Sequence, residues 1–143
     1  MITQISTSNI EDIVHDIQEM DYDCNKLSRI VTGEIKYQKV SDTYNKIIIE
    51  RVSDNIKTVI IDCVEGKIKS IAFYGSLNIQ IKEIFNLFKN YREYYSVHDD
   101  LYFYIFNEEQ RVGNYVLSFF DPSPKKNEIQ DSNEYLFNLI LSW

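Results

Sequence analysis

The sequence predicts an α+β fold: an antiparallel β-meander sheet of six to seven strands with an N-terminal helix, a middle helix and a C-terminal helix, in a single globular domain over residues 1–143. Three observations carry that expectation. Residues 56–74 hold two apolar runs separated by Glu65-Gly66, a two-residue connection that suits a tight hairpin requiring φ > 0. Eleven Tyr and eight Phe favour sheet, while only four Gly and two Pro argue against low complexity. The apolar period switches from every second residue to every third or fourth near Ser8, Leu77 and Asp131.

Taken in order, Ser8-Asn9-Ile10-Glu11 has the spacing of a capping box and starts the first helix. Ile10, Ile13, Val14, Ile17 and Met20 form one apolar stripe, which Cys24 extends. On the opposite side Asp12, Asp16, Glu19 and Asp23 fall within an arc of about 60°. Val31, Gly33, Ile35 and Tyr37 alternate with polar residues as a strand, Ser41-Asp42-Thr43 turns, and KIIIERV from Lys46 is the second strand. The hairpin adds two more. In its first run Val59, Ile60, Ile61, Cys63 and Val64 put apolar groups on both sides of the pleat, as a mid-sheet strand does.

Leu77, Ile81, Ile84, Phe85 and Phe88 share a helical face, so the middle helix packs on the sheet. REYYSV, LYFYIF and YVLSFF then read as three further strands, joined by His98-Asp99-Asp100 and the polar loop NEEQRVGN. Asp121-Pro122-Ser123-Pro124 ends the last of them. Asp131 or Ser132 caps a final helix with Tyr135, Leu136, Leu139, Ile140 and Trp143 on one face. Phe137 and Leu141 lie outside that face, so this tail is deeply buried or touches a partner, and a final strand is the alternative. The expected core is Ile13, Ile17, Val59, Ile61, Ile71, Phe73, Ile84, Phe88, Phe103, Ile105, Leu117 and Leu136.

Cys24 and Cys63 lie outside any C-x-x-C pattern among apolar neighbours and read as two free buried thiols. The opening MITQISTSN has neither a basic nor an apolar signal region, and no run approaches the roughly 20 apolar residues of a membrane span, which predicts a cytoplasmic protein. A net charge of −7 argues against a nucleic-acid partner, whose phosphates need clustered Lys and Arg. Six of the 22 acids, and no Lys or Arg, fall within residues 8–24, leaving 16 acids against 15 bases elsewhere. Nearly all the net charge therefore sits in one segment.

No phosphate-binding glycine loop, nucleophile elbow or zinc-protease signature is present, and no cofactor is expected. His15 reads as a solvated surface histidine and His98-Asp99-Asp100 as a turn, since adjacent residues in a tight turn rarely converge on one ion. The aromatic residues 94–106 read as cross-strand packing in preference to a base-stacking platform. The acidic helix face is different. Asp12/Asp16, Asp16/Glu19 and Glu19/Asp23 are like-charged pairs at helical contact spacing, each costing about 0.2–0.5 kcal/mol, and a face that bears such costs is a candidate for binding a partner.

Residues 56–109, with their apolar hairpin, helix and aromatic strands flanking an acidic turn, resemble the small acidic immunity proteins of bacterial contact-dependent growth inhibition and related polymorphic toxin systems. The resemblance implies a cytoplasmic, non-enzymatic protein that binds and blocks one cognate toxin domain, often a nuclease. It transfers no functional residue position by position. An acidic inhibitor complements the basic cleft of such a toxin, steers the encounter and rejects wrong partners. The candidate contact residues are Asp12, Asp16, Glu19 and Asp23, with Glu108 and Glu109 in the later hairpin loop as a second patch. Two other classes are open: a small enzyme or ligand-binding domain with a tyrosine-lined pocket, and a phage or structural adaptor.

Overall fold

A computed structural model describes residues 1–88, 90–108, 115–122 and 129–143. Its order of elements is α1 (Ile10–Glu19), a 3-10 turn (Cys24–Arg29), β1 (Glu34–Lys39), β2 (Tyr44–Glu50), β3 (Ile56–Val64), β4 (Lys67–Gly75), α2 (Ile81–Leu87), β5 (Tyr91–Ser96), β6 (Leu101–Phe106), β7 (Val116–Asp121), a short 3-10 turn (Ile129–Asp131) and β8 (Asn138–Ser142). All eight strands join one sheet in the order β1-β2-β3-β4-β8-β7-β6-β5, antiparallel throughout. The α+β class and the antiparallel meanders are as expected. Among the described residues the strand count is eight, because the expected C-terminal helix is a strand.

That strand is the centre of the sheet. β8 pairs with β4 on one side and with β7 on the other, so it fuses the meander β1–β4 to the meander β5–β7. Leu139 and Leu141 are fully buried on one face while Ile140 looks out on the other, which explains a tail apolar almost all round: three consecutive apolar residues that serve both faces make a mid-sheet strand. At the start of β8 the side chain of Asn138 takes over from the ladder. Its Oδ1 accepts from the Phe120 amide at 2.9 Å and its Nδ2 donates to the Phe120 carbonyl at 2.8 Å, so this fully buried amide has partners.

The central hairpin forms as the sequence suggests, with Glu65 at φ 53° and Gly66 at φ 78°. Across the sheet one unbroken row of opposed residues runs Ile47, Ile61, Ile71, Leu141, Leu117, Phe106, and beside it Ile49, Val59, Phe73 and Leu139 oppose one another in β2, β3, β4 and β8 as Phe119 opposes Tyr104 in β7 and β6. The inner face made by these rows is buried under α1, the first 3-10 turn and α2. On α2, Phe85 meets Tyr91, Tyr104, Phe106 and Phe119 edge-on with ring centroids 4.9–6.3 Å apart. Nine expected core residues are buried: Ile13, Ile17, Val59, Ile61, Ile71, Phe73, Ile84, Leu117 and Leu136. Phe88 is half-buried, and Phe103 and Ile105 lie on the opposite, uncovered face because β6 turns Tyr104 and Phe106 inward. In a strand apolar at every position, alternation does not choose the face.

The first helix is shorter than its apolar stripe suggests, and no Ser8 capping box forms. Asn9 is the N-cap, and its side chain is tied to Ser6 and Gln4. At the other end Tyr22 donates to the Ile17 carbonyl and Asp21 to that of Gln18, with Asp21 at φ 54°, so a Schellman turn ends the helix without the usual glycine. The chain doubles back over the central hairpin: Ile68 donates to Tyr22 at 2.7 Å and Cys24 to Gly66 at 3.0 Å. This return brings Cys24 against β3, where it forms a disulfide with Cys63, Cα–Cα 6.3 Å. The expectation of two free thiols is therefore corrected.

The bond closes a loop spanning 39 positions, for which chain entropy gives about 4 kcal/mol of stabilisation. Reduction by dithiothreitol should move the urea midpoint down accordingly and leave a Cys24→Ser, Cys63→Ser double variant unmoved. An equal midpoint with and without reductant in the parent chain would contradict the pairing.

Candidate functional site

The acids of residues 8–24 divide into two groups once the helix boundary is known. Three serve the fold. The Tyr115 hydroxyl donates to Glu11 at 2.5 Å, tying α1 to the strand entry before β7. Asp21 pairs with Lys67 at 2.9 Å, and that hydrogen bond and charge hold its carboxyl below the usual range. Asp23 lies beyond the end of α1 and accepts from the Asn25 amide at 2.9 Å as the N-cap of the 3-10 turn. It is thus not a member of the helix face assigned to it.

The other three, Asp12, Asp16 and Glu19, remain together on the exposed side of α1. Glu19 lies 3.5 Å from His15 one turn earlier, an ion pair only when the imidazole is protonated. Asp12 and Asp16 line a cleft of about 230 Å³ between α1 and the N-terminal segment, whose other walls include Met1, Ile2, Thr3, Gln4 and Ile30. Ile2 is held there by its amide, which donates to the Ile30 carbonyl at 2.7 Å. The arrangement sets two carboxylates four residues apart over a partly apolar floor, a shape suited to a basic side chain with an aliphatic stem.

The second expected patch holds in part. Glu108 receives two bonds from the Arg92 guanidinium, 2.9 Å from Nε and 3.2 Å from Nη2, so its charge is matched locally. Glu109 lies outside the described residues. The hairpin that carries Glu108 is nonetheless linked to α1, because Asn107 donates to the Tyr115 carbonyl and Tyr115 donates to Glu11. The acidic turn at residues 98–100 is a structural turn: Tyr95 donates to Asp100 at 2.6 Å and Ser96 to Asp99 at 3.0 Å. Among the described residues no three His, Cys, Asp or Glu side chains gather as a metal site.

Tyr104 and Tyr115 are core residues whose phenols are pushed up mainly by burial, aided by Glu93 and Glu11 respectively. A groove of about 510 Å³ does lie between the first 3-10 turn and the β1 edge, lined by Leu27, Val31, Ile35, Ile47, Ile49 and the disulfide, and Tyr37 is its one tyrosine. Sequence reasoning missed this groove because the turn that walls it follows a helix stop with no glycine to announce it.

On the uncovered face Asp62 is held between Tyr44, which donates at 2.6 Å, and Ser70, which donates at 2.8 Å. The hydrogen bond to Asp62, then burial, push the Tyr44 phenol up to about 12. An unfolded tyrosine titrates near about 10, so the folded state keeps its proton longer. The stabilisation is intact below about pH 10 and is lost as pH rises towards 12. Phenolate absorbance should show Tyr44 ionising near 12, identified by difference from Tyr44→Phe, and Asp62→Asn should bring it back towards 10. Ionisation of Tyr44 near 10 in the parent chain would refute the pairing.

No helix among the described residues is long and apolar enough to cross a membrane. Compared with family models, curated proteins and solved structures, the chain matches none of them.

Proposed function

We propose that this chain acts by binding, as an immunity protein that neutralises a cognate, basic, nuclease-type toxin domain through the exposed carboxylates of α1. One observation carries the reading. Of the six acids in residues 8–24 the fold employs three, and Asp12, Asp16 and Glu19 project together from one helix, two of them over a cleft. Such a face attracts a basic partner over distances of about a Debye length, near 8–10 Å at physiological salt, before any contact forms. Cytoplasmic action belongs to the same proposal. A reducing cytosol would hold Cys24 and Cys63 largely as thiols, and the acidic face does not depend on their bond, since α1 ends before Cys24.

The groove beside β1 favours a second reading, a small-ligand-binding domain, because its size and mostly apolar lining suit such a guest. Co-expression with the product of the adjoining reading frame separates the two. The inhibitor reading requires co-purification that survives Ile47→Trp in the groove and weakens when the α1 carboxylates are neutralised. The ligand reading requires the converse dependence on a small molecule.

Replacing Asp12, Asp16 and Glu19 together by Asn or Gln, while leaving Asp23 to its capping role, should slow association about tenfold at low salt and flatten its ionic-strength dependence. The variant should fold at least as well, since two like-charged contacts at helical spacing are removed. Stopped-flow association with the cognate toxin at low and high salt measures this, and an unchanged rate removes α1 from the interface.

A further inference from the structure

The sheet has a second face, and no element of the described chain covers it. Its middle row runs Lys36, Ile48, Ile60, Ala72, Ile140, Ser118, Ile105, Arg92 across all eight strands. Beside it runs an aromatic ladder: Tyr74 meets Phe120 at 6.3 Å, Phe120 meets Phe103 at 5.6 Å, and Phe103 meets Tyr94 at 6.3 Å. Phe137 closes on Phe120 at 5.6 Å. Tyr94 is 51% exposed and Phe137 42%. A contiguous apolar face of this extent in water marks an interaction surface.

We infer that the uncovered sheet face is the interface of a homodimer, two copies packed face to face as a four-layer α-β-β-α particle. Charge selects the occupant. Outside the bulges the strand residues on this face carry three acids, Glu34, Glu50 and Asp62, and four bases, Lys36, Lys46, Lys67 and Arg92, and two of the bases are matched by Asp21 and Glu108, in a chain of net charge −7. A second copy thus approaches a nearly neutral surface with its excess negative charge turned away, whereas a basic partner is drawn to the helix side. Several of these polar groups already have partners within the face: Lys36 with Glu50 at 2.9 Å, Asp62 with Tyr44 and Ser70, and Arg92 with Glu108. Pairing of this kind lowers the cost of excluding water from them.

Size and shape agree with a second copy. Eight strands at about 4.8 Å spacing and about 20 Å length present roughly 700 Å², close to the ~800 Å² per partner of a stable interface. A twofold axis parallel to the strands between β4 and β8 sets Ile140 over Ala72 of the other copy and Ile60 over its Ser118, large side chains over small in both directions. Aligned sheets pack in this way about 10 Å apart. The inference stands apart from the inhibitor reading, since the acidic helices remain exposed on both outer sides of such a dimer.

Sedimentation velocity on the full chain at roughly 10–100 µM tests it. The expected species has twice the chain mass of 17.0 kDa. Ile60→Lys and, separately, Ile105→Lys should each halve the sedimenting mass with the far-ultraviolet dichroism unchanged, and Tyr37→Lys at the β1 edge should leave the dimer intact. A parent chain that sediments as a monomer across this range overturns the inference without any variant. So does a dimer that survives both face substitutions, or one that Tyr37→Lys dissolves, which would make the sheet edge the interface.

Discussion

Everything in this fold hangs on the pairing of the last strand with β4 and β7. The chain lays down β1–β4 as one meander, crosses through α2, builds β5–β7 as another, and only then supplies the strand that joins them. Until Leu139 and Leu141 arrive, Ile71 and Phe73 on one side and Leu117 on the other lack their neighbours across the inner face. The side chain of Asn138 extends the join by two hydrogen bonds to Phe120, beyond the last rung of the ladder. Contacts between the chain's end and its middle carry a loop-closure cost that local hairpins avoid, so the two meanders can form before their union does.

Two unlike surfaces follow from that union. Among the described residues all helical cover lies on the inner face, and with it the segment of residues 8–24 that holds nearly all of the net charge. The other face is aromatic, and no element of the described residues covers it. The polarity of the particle is thus a consequence of topology: a sheet covered on one side only separates an acidic pole from an apolar one. Under the two proposals each pole meets a different partner, a basic domain at the first and a copy of the same face at the second.

Much of this was legible in residue order. The Glu65-Gly66 hairpin stands where residue order puts it, while the alternation from Val31 and the helical spacing from Leu77 each mark an element that begins later, at Glu34 and at Ile81. The failures have physical causes. The stop at Met20 uses Asp21 and Tyr22 at positive φ where a glycine would have signalled it, and this misplaced Asp23 on a helix face. The tail of residues 135–143 satisfies helical spacing and a two-faced strand equally well, and only the presence of β4 and β7 on either side decides between them. In LYFYIF every position is apolar, so the inward choice of Tyr104 and Phe106 was set by Phe85 of α2, which no local pattern reveals. The Cys24–Cys63 bond likewise depends on a chain reversal made elsewhere. Of the candidate contact residues, Asp12, Asp16 and Glu19 were readable because exposure on an amphipathic helix is a local property.

The claim that the final strand is the keystone is tested most directly by native-state hydrogen exchange along the whole chain. If β8 joins the two meanders, the amides of Leu139 to Leu141 exchange with the slowest set, together with those of β3 and β4, and only through global unfolding. Exchange of these amides at the rate of the edge strands β1 and β5, while β3 and β4 stay protected, would show that the tail is not inserted and that the two meanders are held together by other means.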